Sequence, residues 1–239
     1  MNFIILAAGI GSRLRPLTEK VPKCCIQINN VSIINNLLSQ IRQNFSSRKI
    51  IIVTGYKNEV LQNHVDNNAN DITFIHNEEY SHTNNMFSAH LGLQNINFNI
   101  DTVIVNADCI YSDEIFLLIS ELKESSVFVD RSFFDEESMK VKISNEYIVS
   151  ISKQLKKSPN TAVSIDLYFF KKRELLMLSD IFSTYISKQQ LNEWTEVGIN
   201  DMVKKDRKSI KYKDIDGLPW NEIDTQDDLK SAKKQWKNL

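Results

Sequence analysis

The run Phe3-Ile-Ile-Leu-Ala7 is apolar and of strand type, and it breaks directly into a glycine loop followed by cations: Gly9, Gly11, Arg13, Arg15 and, past Pro22, Lys23. No other feature constrains the fold as strongly. The chain has only six glycines and four prolines, and two of each lie between Gly9 and Pro22. Glycines placed after a strand let backbone N–H groups approach a ligand closely, and such groups bind phosphate. The chemistry suggested is triphosphate or pyrophosphate binding. Two common phosphate loops are excluded by residue type. A dinucleotide fingerprint needs a third glycine where Leu14 stands, and a P-loop needs Gly-Lys-Ser/Thr where Gly11-Ser12-Arg13 stands.

Downstream, apolar periodicity alternates between strand and helix. Strands are predicted at Lys49–Val53, Ile72–Ile75, Thr102–Val105 and Ser126–Asp130. Helices are predicted at Ile33–Phe45, with Ser32 as N-cap, and at Val60–Val65, Asn84–Leu93 and Glu114–Leu122. This alternation is the mark of a parallel sheet covered on both faces. The second half differs. Met139–Ile143 and Tyr147–Ile151 read as a hairpin around Asn145-Glu146, then Ala162–Phe170 as a strand and Glu174–Gln189 and Val197–Lys204 as helices. Short strands at Ile210–Ile215 and Trp220–Ile223 precede a capping-box motif, Thr225-Gln-Asp-Asp228, at the start of a last helix. The expected fold is α/β and Rossmann-like: a mostly parallel central sheet, helices on both faces, and a smaller hairpin region. The 239 residues fit a single domain, 1–239, with halves at about 1–125 and 126–239.

A net charge of −1 argues against a nucleic-acid or membrane-surface binder. No apolar run approaches a membrane span, and the N-terminus lacks the basic start of a signal peptide. Cys24, Cys25 and Cys109 have neither disulfide-framework nor zinc spacing. A cytoplasmic protein is expected.

The longer string resembles a known signature. Leu6-Ala-Ala-Gly-Ile-Gly-Ser-Arg-Leu14, then Pro16-Leu-Thr18, then Pro22-Lys23, is similar to that of the nucleotidyltransferases that make NDP-sugars and CDP-alcohols. The resemblance implies that Leu6, Ala7, Ala8, Gly9, Gly11, Ser12, Arg13 and Lys23 hold the nucleotide. It also implies that Arg13 and Lys23 act on its phosphates during the reaction. Asn77 and Asn84 lie in a segment, His76 to Met86, that resembles phosphocholine-type cytidylyltransferases. In that family this segment and the loop at Gly55-Tyr56 border the base.

Two carboxylates end predicted strands: Asp108, after Val103–Ala107, and Asp224, after Trp220–Ile223. Each has a bland reading, since an aspartate there often caps the helix that follows. The resemblance places a metal at both, and a hard cation such as Mg²⁺ uses one or two carboxylates plus phosphate oxygens. For Lys140 two readings stand side by side: an outward-facing lysine on the hairpin, or the cation that meets the acceptor's phosphate. Trp194 and Glu196, with Asp130 and Asp166 nearby in type, suit the cationic end of an acceptor.

The reading that follows is a cytidylyltransferase moving CMP from CTP to a small phosphorylated acceptor, phosphocholine-like or related, with release of pyrophosphate. A sugar-1-phosphate nucleotidyltransferase using UTP, dTTP or GTP shares the signature and is the alternative. A non-catalytic nucleotide sensor is a third, disfavoured because Asp108, Asp224, Arg13 and Lys23 are all in place. The partners expected are the nucleotide and the acceptor, with no nucleic acid and no membrane, and a homo-oligomer is left open.

Overall fold

The computed structural model describes residues 1–65 and 71–237. In chain order, β1 (Asn2–Ala7) leads through the glycine loop to the short strands β2 (Gln27–Ile28) and β3 (Val31–Ser32) and then to α1 (Ile33–Asn44). Next come β4 (Lys49–Thr54), α2 (Asn58–His64), β5 (Ile72–His76), α3 (Asn85–Leu93), β6 (Thr102–Asn106), β7 (Cys109–Tyr111), α4 (Asp113–Ser120) and β8 (Ser126–Asp130). The second half comprises β9 (Lys140–Ser144), β10 (Tyr147–Ser152), β11 (Thr161–Phe170), α5 (Lys172–Ser187), α6 (Thr195–Lys205), β12 (Lys211–Asp214), β13 (Trp220–Glu222) and α7 (Gln226–Gln235). Ser32 caps α1 by accepting from the Asn35 N–H, and Thr225 and Asp228 form the reciprocal capping box of α7.

Nine strands form one sheet in the order β5-β4-β1-β6-β11-β8-β12-β10-β9. β1 pairs in parallel with β4 and β6, and β4 in parallel with β5. The Rossmann-like α/β class is therefore as expected, but the second half brings antiparallel pairs into the sheet beside one parallel pair, β12 with β8. β11 runs antiparallel to both β6 and β8, because the β9–β10 hairpin returns the chain to the sheet from the other end. The pair β13–β7 forms a small separate sheet instead of extending the main one.

Successive residues of β1 point to opposite faces. Phe3 and Ile5 join Ile34, Leu37 and Ile41 of α1 and Ile115 and Phe116 of α4. Ile4 and Leu6 join Met86, Ala89 and Leu93 of α3 and residues of α5 and α6. Helices on both faces explain why β1 and β4 are continuous apolar runs. Gly92 lets α3 sit directly on the sheet, since a β-carbon there would lie 2.4 Å from Ile4 Cγ2. A third cluster packs Leu229 and Ala232 of α7 against Leu14, Ile26, Ile33 and Ile110. It fastens the C-terminal helix to the segment just past the glycine loop.

Candidate active site

The glycine loop leaves the carboxyl end of β1, where an open α/β sheet binds its ligands. Gly11 takes φ +65°, and a β-carbon on it would lie 3.0 Å from Lys23 Cβ and 3.1 Å from Thr18 Cγ2. The Thr18 hydroxyl donates to the Gly11 carbonyl at 2.8 Å. A cleft of about 1110 Å³ opens in front of this loop. Leu6, Ala8, Gly9, Gly11, Ser12, Arg13 and Lys23 line it.

Three expected nucleotide residues do not line the cleft. Ala7 ends β1 with its side chain in the core. Gly55 is pressed against the loop's back, where a β-carbon would lie 2.6 Å from Tyr80 Cβ and 2.7 Å from the Ala8 carbonyl. The Tyr56 N–H donates to that same carbonyl at 3.1 Å, and its hydroxyl donates to the Thr18 carbonyl at 3.0 Å. Gly55 and Tyr56 therefore brace the loop from behind and do not line the cleft.

Lys23 is buried at the floor of the cleft. Its ammonium donates to Asp108 Oδ2 at 2.8 Å and to Asp224 Oδ1, and Arg13 pairs with Asp224 Oδ2. Burial lowers the proton affinity of Lys23, but Asp108 and Asp224 outweigh it and hold the ammonium above the ordinary lysine range. Burial likewise works to raise Asp224, and Lys23 and Arg13 hold it below its ordinary value. The helix-capping reading of Asp224 does not hold. Thr225 and Asp228 cap α7, which leaves the Asp224 carboxylate free to face Lys23.

Glu222 is a candidate site residue that the sequence reading misses, although it ends β13 only two positions before Asp224. Carboxylate oxygens of Asp108, Glu222 and Asp224 lie within 4.8 Å of one another. Burial, then the charges of Asp166, Asp108 and Asp224, push Glu222 up to about 9. Three clustered carboxylates that repel one another, with hard oxygen donors, fit a divalent cation of the Mg²⁺ type.

Asn77 and Asn84 both line the cleft. The Asn77 amide donates to Thr83 Oγ1 at 3.0 Å and to Ser88 Oγ at 3.1 Å, and it accepts from the Glu79 N–H at 3.0 Å. It ties the loop after β5 to α3. Asn84 caps α3.

The opposite wall comes from the second half. Trp194 and Glu196 line it, together with Lys153, Asp166 and Asp130. The Tyr168 hydroxyl joins Glu196 Oε1 to Asp166 Oδ1, the latter at 3.1 Å. Burial, then the charges of Glu196 and Asp108, push Asp166 up to about 8, and burial raises Glu196 as well. The Asn106 amide donates to Asp166 Oδ2 at 2.9 Å.

Lys140 fits neither of its two readings. It is 1% exposed, so it is not a surface lysine. Its ammonium donates to the carbonyls of Asp135 (3.2 Å), Glu136 (2.7 Å) and Ser138 (2.9 Å), which uses all three of its N–H groups. It is absent from the cleft wall and instead holds the 131–139 loop, whose Phe133, Asp135, Glu137 and Ser138 do line the cleft. Among the described residues, Lys153 is the cation on the acceptor side of the cleft, with its Nζ 5.0 Å above the Trp194 ring.

A family model described as nucleotidyl transferase matches residues 2–238. The CTP:phosphoglutamine cytidylyltransferase of Campylobacter jejuni is 30% identical over 252 residues, covering 96% of this chain and 98% of that one. The choline-phosphate cytidylyltransferase of Haemophilus influenzae is 34% identical over 117 residues, 49% of this chain and 48% of that one. Among solved structures, the CTP:phosphocholine cytidylyltransferase of Streptococcus pneumoniae superposes with a TM-score of 0.76 at 20% identity, covering 98% of each chain. No described helix is long and apolar enough to cross a membrane.

Proposed function

The chain belongs to the nucleotidyl transferase family, and on that footing we propose that it transfers CMP from CTP to a small phosphorylated acceptor, releasing pyrophosphate. The observation that carries the proposal is the division of one cleft. The glycine loop, Arg13, Lys23 and three carboxylates form one end, while Lys153, Trp194, Asp166 and Glu196 form the other. The choice of CTP is supported by the names of two relatives, one matching over 96% of the chain and one over 49%. A cytoplasmic site of action belongs to the same proposal.

The acceptor's phosphate oxygen attacks the α-phosphorus, a new P–O bond forms, and the bond to the β-phosphate oxygen breaks as pyrophosphate leaves. The protein brings two polyanions together and stabilises the charge that develops between them. Backbone N–H groups of the loop from Gly9 to Arg13 face the triphosphate. Lys23 exchanges its carboxylate partners for phosphate oxygens, and Arg13 releases Asp224 to do the same. Asp108, Glu222 and Asp224 would hold Mg²⁺, which when bound neutralises phosphate charge. Lys153 neutralises the attacking phosphate, the role that the sequence suggests for Lys140.

The test is a screen of purified protein against the four nucleoside triphosphates and a panel of phosphorylated acceptors, with pyrophosphate release as the readout. Release that requires both CTP and a phosphorylated acceptor is expected. Equal or better turnover with UTP, dTTP or GTP and a sugar 1-phosphate would replace this reading with the sugar nucleotidyltransferase.

A further inference from the structure

The strand that carries Glu222 and leads to Asp224 has little backbone support of its own. β13 is three residues long and pairs with β7, also three residues, in a two-stranded sheet apart from the main one. Two short strands by themselves are marginal in water, so side chains must help to fix where its carboxylates stand. Trp220 opens the strand, and alternation puts it on the same face as Glu222.

Asp130 ends β8, just before the 131–139 loop, and is buried. Its Oδ1 accepts from the Ser132 N–H at 2.7 Å, and its Oδ2 accepts from the Trp220 indole N–H at 2.9 Å. Each carboxylate oxygen thus has a partner within the protein, so Asp130 borders the cleft with its charge committed to the fold. The Phe133 ring packs on the Trp220 ring, with centroids 5.9 Å apart and planes at 45°. A charge-assisted hydrogen bond and an aromatic contact therefore join the same two segments.

Those segments serve different ends of the cleft. The loop supplies Phe133, Asp135, Glu137 and Ser138 to the acceptor side, while Glu222 and Asp224 stand with Asp108 at the nucleotide end. Lys140 fastens the far part of the loop through the carbonyls of Asp135, Glu136 and Ser138. Asp130 and Trp220 fasten its near part to β13. Asn221, the middle residue of β13, is tied elsewhere: its Oδ1 accepts from the Trp236 indole N–H at 2.7 Å, which leads to the end of α7.

We propose that Asp130 and Trp220 are a positioning pair whose hydrogen bond couples the acceptor-side loop to the strand of Glu222 and Asp224. Neither side chain touches a reacting atom. When β13 is restrained through its carboxylates, Trp220 carries the restraint to Asp130 and Phe133, and the 131–139 loop is ordered with it. Coupling of this kind is reciprocal, so a loop ordered by the acceptor favours the carboxylate arrangement that holds a divalent cation. What binds at each end rests on the cytidylyl-transfer reading, whereas the tie itself rests on the contacts of Asp130 and Trp220.

Amide hydrogen exchange of the full chain, read by mass spectrometry with Mg²⁺ and CTP as the probe, tests the coupling. In the wild type the probe should slow exchange in 131–139 about fivefold or more, although the loop lies at the other end of the cleft. Trp220→Phe keeps a ring for Phe133 but has no N–H for Asp130. In that variant protection around Glu222 should persist, while protection of the loop is largely lost and the acceptor's KM rises several-fold. If Trp220→Phe does not fold, Asp130→Asn replaces it, with a partial loss of loop protection expected from a neutral acceptor. Loop protection equal in wild type and variant, or none in a wild type that binds CTP by calorimetry, would overturn the coupling. A variant that only melts at a lower temperature, with exchange response and acceptor KM unchanged, would make the pair a brace and overturn it too. Coupled protection without pyrophosphate release from any acceptor would keep the pair and overturn the transfer reading.

Discussion

The two ends of the cleft solve opposite electrostatic problems. At the nucleotide end, Lys23 and Arg13 answer the carboxylates of Asp108 and Asp224, so cations and anions stand paired before any ligand arrives. At the acceptor end, Asp166 and Glu196 face the cleft with only the Tyr168 hydroxyl between them. A site for a polyanion and a hard cation needs both signs of charge held in reserve, ready to change partners. The paired end holds its charges in mutual contact, while at the other end a single hydroxyl stands between two acids.

Breaking the paired end should give the largest effect. Asp108→Ala removes one of the three clustered carboxylates, and nucleotidyl transfer should fall on the order of 10³-fold or more, with the melting temperature little changed. Turnover close to wild type, in that variant or with a chelator present, would dissociate Asp108 from any metal. Gly11→Val comes next. Its β-carbon would meet Lys23 and Thr18 at a backbone angle that favours glycine. We expect CTP affinity to drop about tenfold to a hundredfold, roughly 1–3 kcal/mol, from strain at a ligand-facing turn. Unchanged affinity by calorimetry would make the loop a turn and nothing more.

Lys140→Ala tests whether the acceptor wall depends on a brace behind it. The variant leaves three carbonyls, those of Asp135, Glu136 and Ser138, without their donor. Stability in urea titrations should fall by about 1–3 kcal/mol, with CTP affinity retained. A selective loss of CTP binding without loss of stability would instead place Lys140 in the nucleotide site.

A pH-dependent effect concerns the unpaired end. Asp166 is pushed up to about 8 by burial and by its acidic neighbours. Between the ordinary carboxylate range and about pH 8 the folded protein therefore binds more protons at this site than the unfolded chain does. Stability present at the acid side is lost as pH rises through that window. The slope contributed by one such group is at most about 1.4 kcal/mol per pH unit. Asp166→Asn, which tolerates the same backbone angle, should flatten the decline of melting temperature with pH. A slope identical to wild type would show that Asp166 stays ionised in the ligand-free protein.

Local information makes much of this molecule legible in the order of its residues. The strand Phe3–Ala7, the α1 cap at Ser32, the hairpin at Asn145 and the capping box at Thr225 are each set by residues within a few positions of one another. The glycine loop is of the same kind, because a positive φ at Gly11 and a run of cations are written in adjacent residues. Lys140 is illegible for the converse reason. Period-2 alternation says which face a strand residue takes, but not that the 131–139 loop folds over that face and buries an ammonium under three carbonyls.

The elements, their α/β class and the conformation of the glycine loop after β1 are therefore written in the chain itself, because they follow from patterns shorter than a helix. Which charges meet is decided by tertiary structure alone. The Asp224 carboxylate reaches Lys23, 201 positions away, because α7 packs its Leu229 and Ala232 against the segment past the glycine loop. Asp166 and Glu196 share the Tyr168 hydroxyl only because the strand and the helix that carry them come together in space. Coulomb interactions depend on distance in space, and no periodicity in the chain encodes that distance.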